Sequence, residues 1–245
     1  MDQPKIIFED DNLLVVHKPA GLLVHSDNTD ITNTLVEWYL NYYPAGRGVG
    51  EPRIGKDGQE IERSGIVHRL DRDTSGIILI AKTQLAFDAL KSQFKDRLVQ
   101  KEYRALVYGK MKDKWGTINR VIGRSVKDWK LRSAERGAKG RLREAVTEWQ
   151  CLESGTYMDE DYSYLTLKPK TGRMHQLRVH LKSISRPIVG DNLYAKPQQL
   201  ASSNLGLTRL ALHSFSIKFL NLGNEEVYFE DPLPSDFEAA VQRIA

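Results

Sequence analysis

Ser64–Lys82 reads SGIVHRLDRDTSGIILIAK, and the fold turns on how it is parsed. Two apolar runs, Ile66-Val67 and Ile77-Ile78-Leu79-Ile80, bracket the polar segment His68–Gly76. Both runs are short and rich in β-branched residues, so both read as buried strands. Asp71, Asp73, Thr74, Ser75 and Gly76 have the chemistry of a tight connection. Asp71 is thereby placed at the mouth of a buried sheet, between Arg69 and Arg72. The two guanidinium groups favour its ionised form, and partial burial opposes it. A carboxylate held charged in a water-poor place is a candidate nucleophile or base. The competing interpretation is a structural turn stapled by an Arg–Asp ion pair. Asp71-x-Asp73-x-Ser75-Gly76 also imitates the opening of a calcium loop, but position twelve is Lys82 where a bidentate glutamate is needed.

Around this centre the composition is that of an ordinary globular protein, and 245 residues suffice for one sizeable core. No run of eighteen apolar residues exists, so no membrane span is expected. The opening MDQPKIIFEDD lacks the basic and apolar regions of a secretory signal. The single cysteine, Cys151, excludes an internal disulfide framework and fits a reducing, cytoplasmic location. His175 and His180 are five apart, which does not put both on one helical face, so no metal is expected. Gly50-x-x-x-x-Gly55-Lys56 nearly spells a phosphate loop, but Asp57 follows where Ser or Thr is required.

Charge is distributed unevenly. Lys91–Arg143 holds 17 Lys/Arg against 5 Asp/Glu, a surplus of +12, which leaves −8 for the rest of a chain whose total is +4. Tyr103, Tyr108, Trp115 and Trp129 interrupt the segment. Basic residues interleaved with aromatics favour a polyanion, with RNA or DNA phosphate the obvious partner.

Along the chain, Ile6–Phe8 and Leu13–Val16 read as strands, and Leu22–Val24 as another short one. Thr34–Leu40 has helical spacing with Asn33 or Thr32 as N-cap, and Gln84–Arg97 is an amphipathic helix. Lys101–Gly109, Ala145–Leu152 and Tyr162–Lys168 are strands. Ile118, Val121 and Ile122 suggest one more, and Ser125–Gly140 a loop or hairpin that orders on its ligand. In PKTGRMHQLRVHL, residues 169–181, Met174, Leu177, Leu181 and Ile184 share a core-facing stripe. Thr171, His175, Arg178 and Lys182 share the adjacent polar one, with Thr171 as N-cap. Arg209–Ser214 and Ile217–Phe219 form a late strand, and Asp236–Ile244 a last helix. No internal repeat is present.

Four of these stretches, in order, resemble the RluA family of RNA pseudouridine synthases: His17-Lys18-Pro19-Ala20-Gly21, Val67–Gly76, Lys101–Gly109 and Lys170–His180. The resemblance runs from about Ile6 to Phe237. It implies an α+β fold, a mixed and largely antiparallel sheet with a central cleft flanked by helices and loops, forming a single catalytic domain over residues 1–245. Many relatives begin with a separate small RNA-binding domain, and this chain starts directly at the catalytic one. RNA docking is therefore expected from the basic segment 91–143.

The implied activity is isomerisation of uridine to pseudouridine in structured RNA, ribosomal or transfer, by a monomer needing no cofactor. The implied catalytic residues are Asp71 as nucleophile, Arg178 as its ion-pair partner and Tyr103 stacked on the detached uracil. RNA contacts are expected from Arg69, Arg72, Arg173, His175, Gln176, Arg124, Arg132 and Arg136. The leading alternative is a non-catalytic RNA-binding or ribosome-assembly factor on the same fold, which would require loss of Asp71, Tyr103 or Arg178; none is lost. A glycosidase using Asp71 and Asp73 is a poorer match, because two turn residues so close cannot straddle a sugar.

Overall fold

A computed structural model describes residues 2–25, 33–54, 58, 60–61, 63–126, 128, 131–201 and 204–245. Thr32, Gly55–Asp57 and Trp129, each invoked above, lie outside the described residues. In chain order the first elements are β1 (Lys5–Glu9), β2 (Leu13–Lys18), α1 (Leu35–Tyr42), β3 (Arg53–Ile54), β4 (Glu60–Ile61), β5 (Ser75–Ala81) and α2 (Gln84–Lys95). Then come β6 (Gln100–Tyr108), β7 (Trp115–Asn119), β8 (Ile122–Arg124), β9 (Arg132–Ser133), β10 (Lys139–Arg143), β11 (Val146–Tyr157) and β12 (Glu160–Pro169). The chain closes with α3 (Gln176–Ser183), α4 (Pro197–Leu200), β13 (Leu212–Leu220), β14 (Glu226–Glu230) and α5 (Ser235–Gln242). The fold is α+β, with antiparallel strand ladders and few helices. Two compact units divide the residues: Met1–Gln100 with Ser216–Asp231, and Lys101–Phe215 with Pro232–Ala245.

In the first unit β2 pairs with both β1 and β5, and the Ser216–Leu220 part of β13 pairs with β14. Alternation sorts the apolar residues of β2 and β5 onto two faces. Leu13, Val15, Ile77 and Leu79 pack with Ala86, Phe87 and Leu90 of α2 and with Ile217 and Phe219. Leu14, Val16, Ile78 and Ile80 pack with Leu35, Val36, Tyr39 and Leu40 of α1. Cover on both faces explains why β5 is an unbroken apolar run, each residue of which is buried. The earlier run is not a strand: Ile66 makes one bridge to Ile80, and Val67 makes none. Gly65 permits that close approach, since its φ is +71° and a Cβ there would meet the Ala81 carbonyl at 2.2 Å. Thr34, one residue past the expected cap, caps α1 by accepting from the Glu37 N–H.

In the second unit β6, β12, β11 and β7 form consecutive antiparallel pairs. The strand expected across Ile118–Ile122 is split. Trp115–Asn119 pairs with β11, while Ile122–Arg124 joins a separate three-stranded sheet, β10-β8-β9. Its Ile122, with Ala134 from the turn after β9, packs on Ala145, Val179 of α3 and Tyr194. Part of the Ser125–Gly140 stretch is thus strand.

Candidate active site

Asp71 lies in the first unit, half-buried, in a turn closed by the Thr74 N–H donating to the Asp71 carbonyl at 3.2 Å. Leu70, Thr74 and Ser75 around it are buried, whereas Arg69 and Arg72 are exposed. The Arg72 Nε donates to Asp73 at 3.1 Å, an exposed pair worth at most about 1 kcal/mol. What fixes the turn lies beneath it. Lys18, the last residue of β2, is 0% exposed, and its Nζ donates to the carbonyls of Pro19 (2.8 Å), Leu22 (2.8 Å) and Arg72 (2.9 Å). The Gly21 N–H donates to the same Arg72 carbonyl at 2.9 Å. Burial lowers the Lys18 amine to about 7, against the pull of the Asp73 and Asp71 carboxylates. On the other side, the Leu79 N–H of β5 donates to His68 Nε2 at 2.9 Å, and the ring stacks on Phe94 at 4.7 Å. Lys18 was legible only as part of a Lys-Pro-x-Gly turn. Nothing in the sequence marks a lysine as buried.

Tyr103 and Arg178 belong to the second unit. Tyr103 is buried on β6 opposite Leu167, and Lys101 shares its face of the strand. Burial lowers the Lys101 amine from its ordinary value. Downstream, the chain turns in the left-handed region at His175, φ 56°, so α3 starts at Gln176. Histidine tolerates that region better than most side chains, at a cost of roughly 1–2 kcal/mol. Helical phase therefore begins late. Met174, expected on the core stripe, is exposed, and Thr171 is not the cap. Thr171 instead donates to Gln176 Oε1 at 2.7 Å, and that oxygen also accepts from the Arg173 N–H. Gln176 Nε2 donates to the Val146 carbonyl and to Thr147, so its amide is used four times in holding the turn. Thr147 also bonds the buried His180, whose other ring nitrogen faces the Arg120 carbonyl, and burial lowers the His180 pKa.

Arg178, expected on a polar stripe, is buried. It makes a bidentate pair with Asp191: Nε to Oδ2 at 2.8 Å and Nη2 to Oδ1 at 2.6 Å. The Tyr194 ring lies 5.1 Å from its guanidinium carbon. Tyr194 Oη is hydrogen-bonded to His175 Nδ1 at 2.7 Å and accepts the Arg132 N–H at 3.1 Å. Two expected RNA-contacting residues, His175 and Arg132, thus meet at one hydroxyl. Arg173 is half-buried, its Nε donating to the Glu144 carbonyl.

The small sheet gathers the cations. Arg124 stands opposite both Lys139 and Arg132, β10 is exposed throughout, and Arg136 is exposed in the turn after β9. Like charges directly across a ladder are destabilising, so the two pairs at Arg124 repel. Among the described residues no cluster of three or more His, Cys, Asp or Glu could hold a metal ion, and no helix is long and apolar enough to cross a membrane.

A family model for RNA pseudouridylate synthase matches residues 12–183. An uncharacterized RNA pseudouridine synthase of Synechocystis sp. is 37% identical over 95% of this chain and 66% of its own length. The ribosomal large subunit pseudouridine synthase D of Nitrosomonas europaea is 35% identical over 98% of this chain and 65% of its own. The chain thus spans just under two-thirds of the length of these two relatives. Among solved structures, human RNA pseudouridylate synthase domain containing 1 superposes with a TM-score of 0.74 at 27% identity, covering 95% of this chain and 84% of that one. Motif order, fold and family match together place the chain in the RNA pseudouridylate synthase family, on its RluA branch.

Proposed function

We propose that this protein isomerises particular uridines of a structured ribosomal or transfer RNA to pseudouridine. The bond from the sugar C1′ to uracil nitrogen breaks, the base turns, and a bond from C1′ to ring carbon forms; that carbon gives up its proton and the released nitrogen takes one up, so the atoms balance. Asp71 is the nucleophile, Arg178 keeps a carboxylate ionised and placed, and Tyr103 stacks on the detached base. Arg69 and Arg72, exposed on either side of Asp71, meet the backbone of the extruded nucleotide. Arg173 and His175 bind flanking phosphate. Arg124, Arg132 and Arg136 dock the RNA body. The observation that carries this reading is the clamped turn: a half-buried carboxylate on a loop held from below by Lys18 and Gly21, as a preorganised nucleophile requires. The test is Asp71→Asn, measured by release of tritium from uracil C5 and by mass spectrometry. The variant should fold and bind RNA normally and make no product. Turnover by that variant would end the proposal.

A further inference from the structure

We infer that Asp191 is a positioning residue for this reaction, acting through Arg178; the inference rests on the role given to Arg178 above. Asp191 is 1% exposed and Arg178 3%, so the pair is made in a nearly water-free place. Its bidentate geometry sets the guanidinium plane, and the Tyr194 ring covers one face of it. Asp191 is itself immobilised, because Oδ1 accepts the N–H groups of Leu193 (3.0 Å) and Tyr194 (3.1 Å). The turn carrying it is fixed in turn by Gly190, φ +71°, where a Cβ would meet the Arg209 carbonyl at 2.3 Å. The Nε–Nη2 edge of the guanidinium is therefore oriented from behind, and the direction in which Nη1 offers its hydrogens follows from where Asp191 stands. An arginine without such a partner retains the rotamer freedom of a long side chain, and a charge displaced by about 1 Å from a reacting group costs on the order of 100-fold in rate.

Asparagine separates this role from simple support of the turn. Its side-chain oxygen still accepts from Leu193 and Tyr194, while its amide presents hydrogens to Arg178 instead of a charge. Asp191→Asn, Arg178→Met and the double variant are compared by single-turnover rate at saturating RNA and by RNA affinity. The expected result is a fall of about 100-fold for Asp191→Asn, affinity within about 2-fold of wild type, and no further loss from Asp191→Asn in the Arg178→Met background. Where Asp191→Asn does not fold, Asp191→Ser, which keeps a turn-capping oxygen, takes its place with the same expectation. An Asp191 variant at wild-type rate, with Arg178→Met impaired, overturns the inference alone, as do losses that multiply in the double variant. Arg178→Met at wild-type rate removes both the role of Arg178 and the inference built on it.

Discussion

The Asp71 turn and the β10-β8-β9 sheet differ in how complete each is without RNA. The turn stands on a buried ammonium and backbone hydrogen bonds, and buried Leu70, Thr74 and Ser75 flank the carboxylate. The sheet sets Arg124 opposite Lys139 and Arg132 and leaves every residue of β10 exposed. Chemistry rewards a site that need not reorganise at the moment of reaction. Docking to a polyanion rewards the reverse, a surface whose self-repulsion is relieved only when phosphate arrives. Rigidity and incompleteness are assigned to different elements.

The contrast breaks hardest at Lys18. Lys18→Met deprives the Pro19 and Leu22 carbonyls of the amine hydrogens they accept, at roughly 1–3 kcal/mol each, offset in part because a buried amine is no longer desolvated. We expect a net loss of about 2 kcal/mol in urea unfolding. We also expect a fall of 10- to 100-fold in single-turnover rate by the same displacement argument, with RNA affinity unchanged. An unaltered rate would show that the turn does not need its clamp.

Stability should also depend on pH through this residue. The folded amine titrates at about 7 and the unfolded one near its ordinary 10.5. Between those values the unfolded chain holds a proton that the folded chain has released, so stability rises with pH across the window, by up to ~1.4 kcal/mol per pH unit. Below about pH 7 both states are protonated and the dependence vanishes. Subtracting the Lys18→Met profile from that of wild type isolates the effect, and a flat difference would mean that the amine keeps its proton in the fold.

Much of this architecture is legible in the sequence, because β2 and β5 each contain an unbroken apolar run while α2 and β6 carry their periodicity in apolar side chains. Met174 was misplaced because helical phase depends on one left-handed residue, His175, and no pattern of hydrophobicity announces a backbone dihedral. β14 is hard to read because its apolar run, Val227-Tyr228-Phe229, is only three residues long and is closed at both ends by glutamate. Asp71 stands out from the chemistry of its turn, whereas Tyr103 and Arg178 take their roles only from the family motifs. Asp191 is not legible as a partner of Arg178, since their pairing spans 13 positions and exists only in three dimensions. The sequence offers Lys18 as part of a Lys-Pro-x-Gly turn, but not its burial, because lysines are rarely buried and its three acceptors are backbone groups that every sequence has.

On the docking side the expected effects are smaller. Arg132→Glu combined with Arg136→Glu should flatten the dependence of log affinity on log salt by roughly 1–2, one phosphate contact per residue, while turnover at saturating RNA holds. Parallel lines for wild type and variant would move the docking surface elsewhere. The smallest effect is the sharpest in sign. Arg124→Thr should weaken RNA binding yet stabilise the free protein by ~0.2–1 kcal/mol, because it removes two cross-strand repulsions and adds a good strand former. If free stability falls instead, the sheet is not waiting for a counter-charge.

The way β13 is shared has a consequence for synthesis. Leu212–Phe215 belong to one unit and Ser216–Leu220 to the other. The first unit therefore cannot be finished when its first 100 residues leave the ribosome. Its Ile217 and Phe219, the ladder with β14, and the 2.5 Å pair between His17 and Asp231 all come from residues made after the intervening 101–215. At roughly 5–20 residues per second, that is a wait on the order of ten seconds, with the Leu13, Val15, Ile77 and Leu79 face of β2 and β5 incompletely covered. A nascent chain of this design depends on protection while it grows, and a truncation at residue 100 would yield an aggregating fragment instead of a domain.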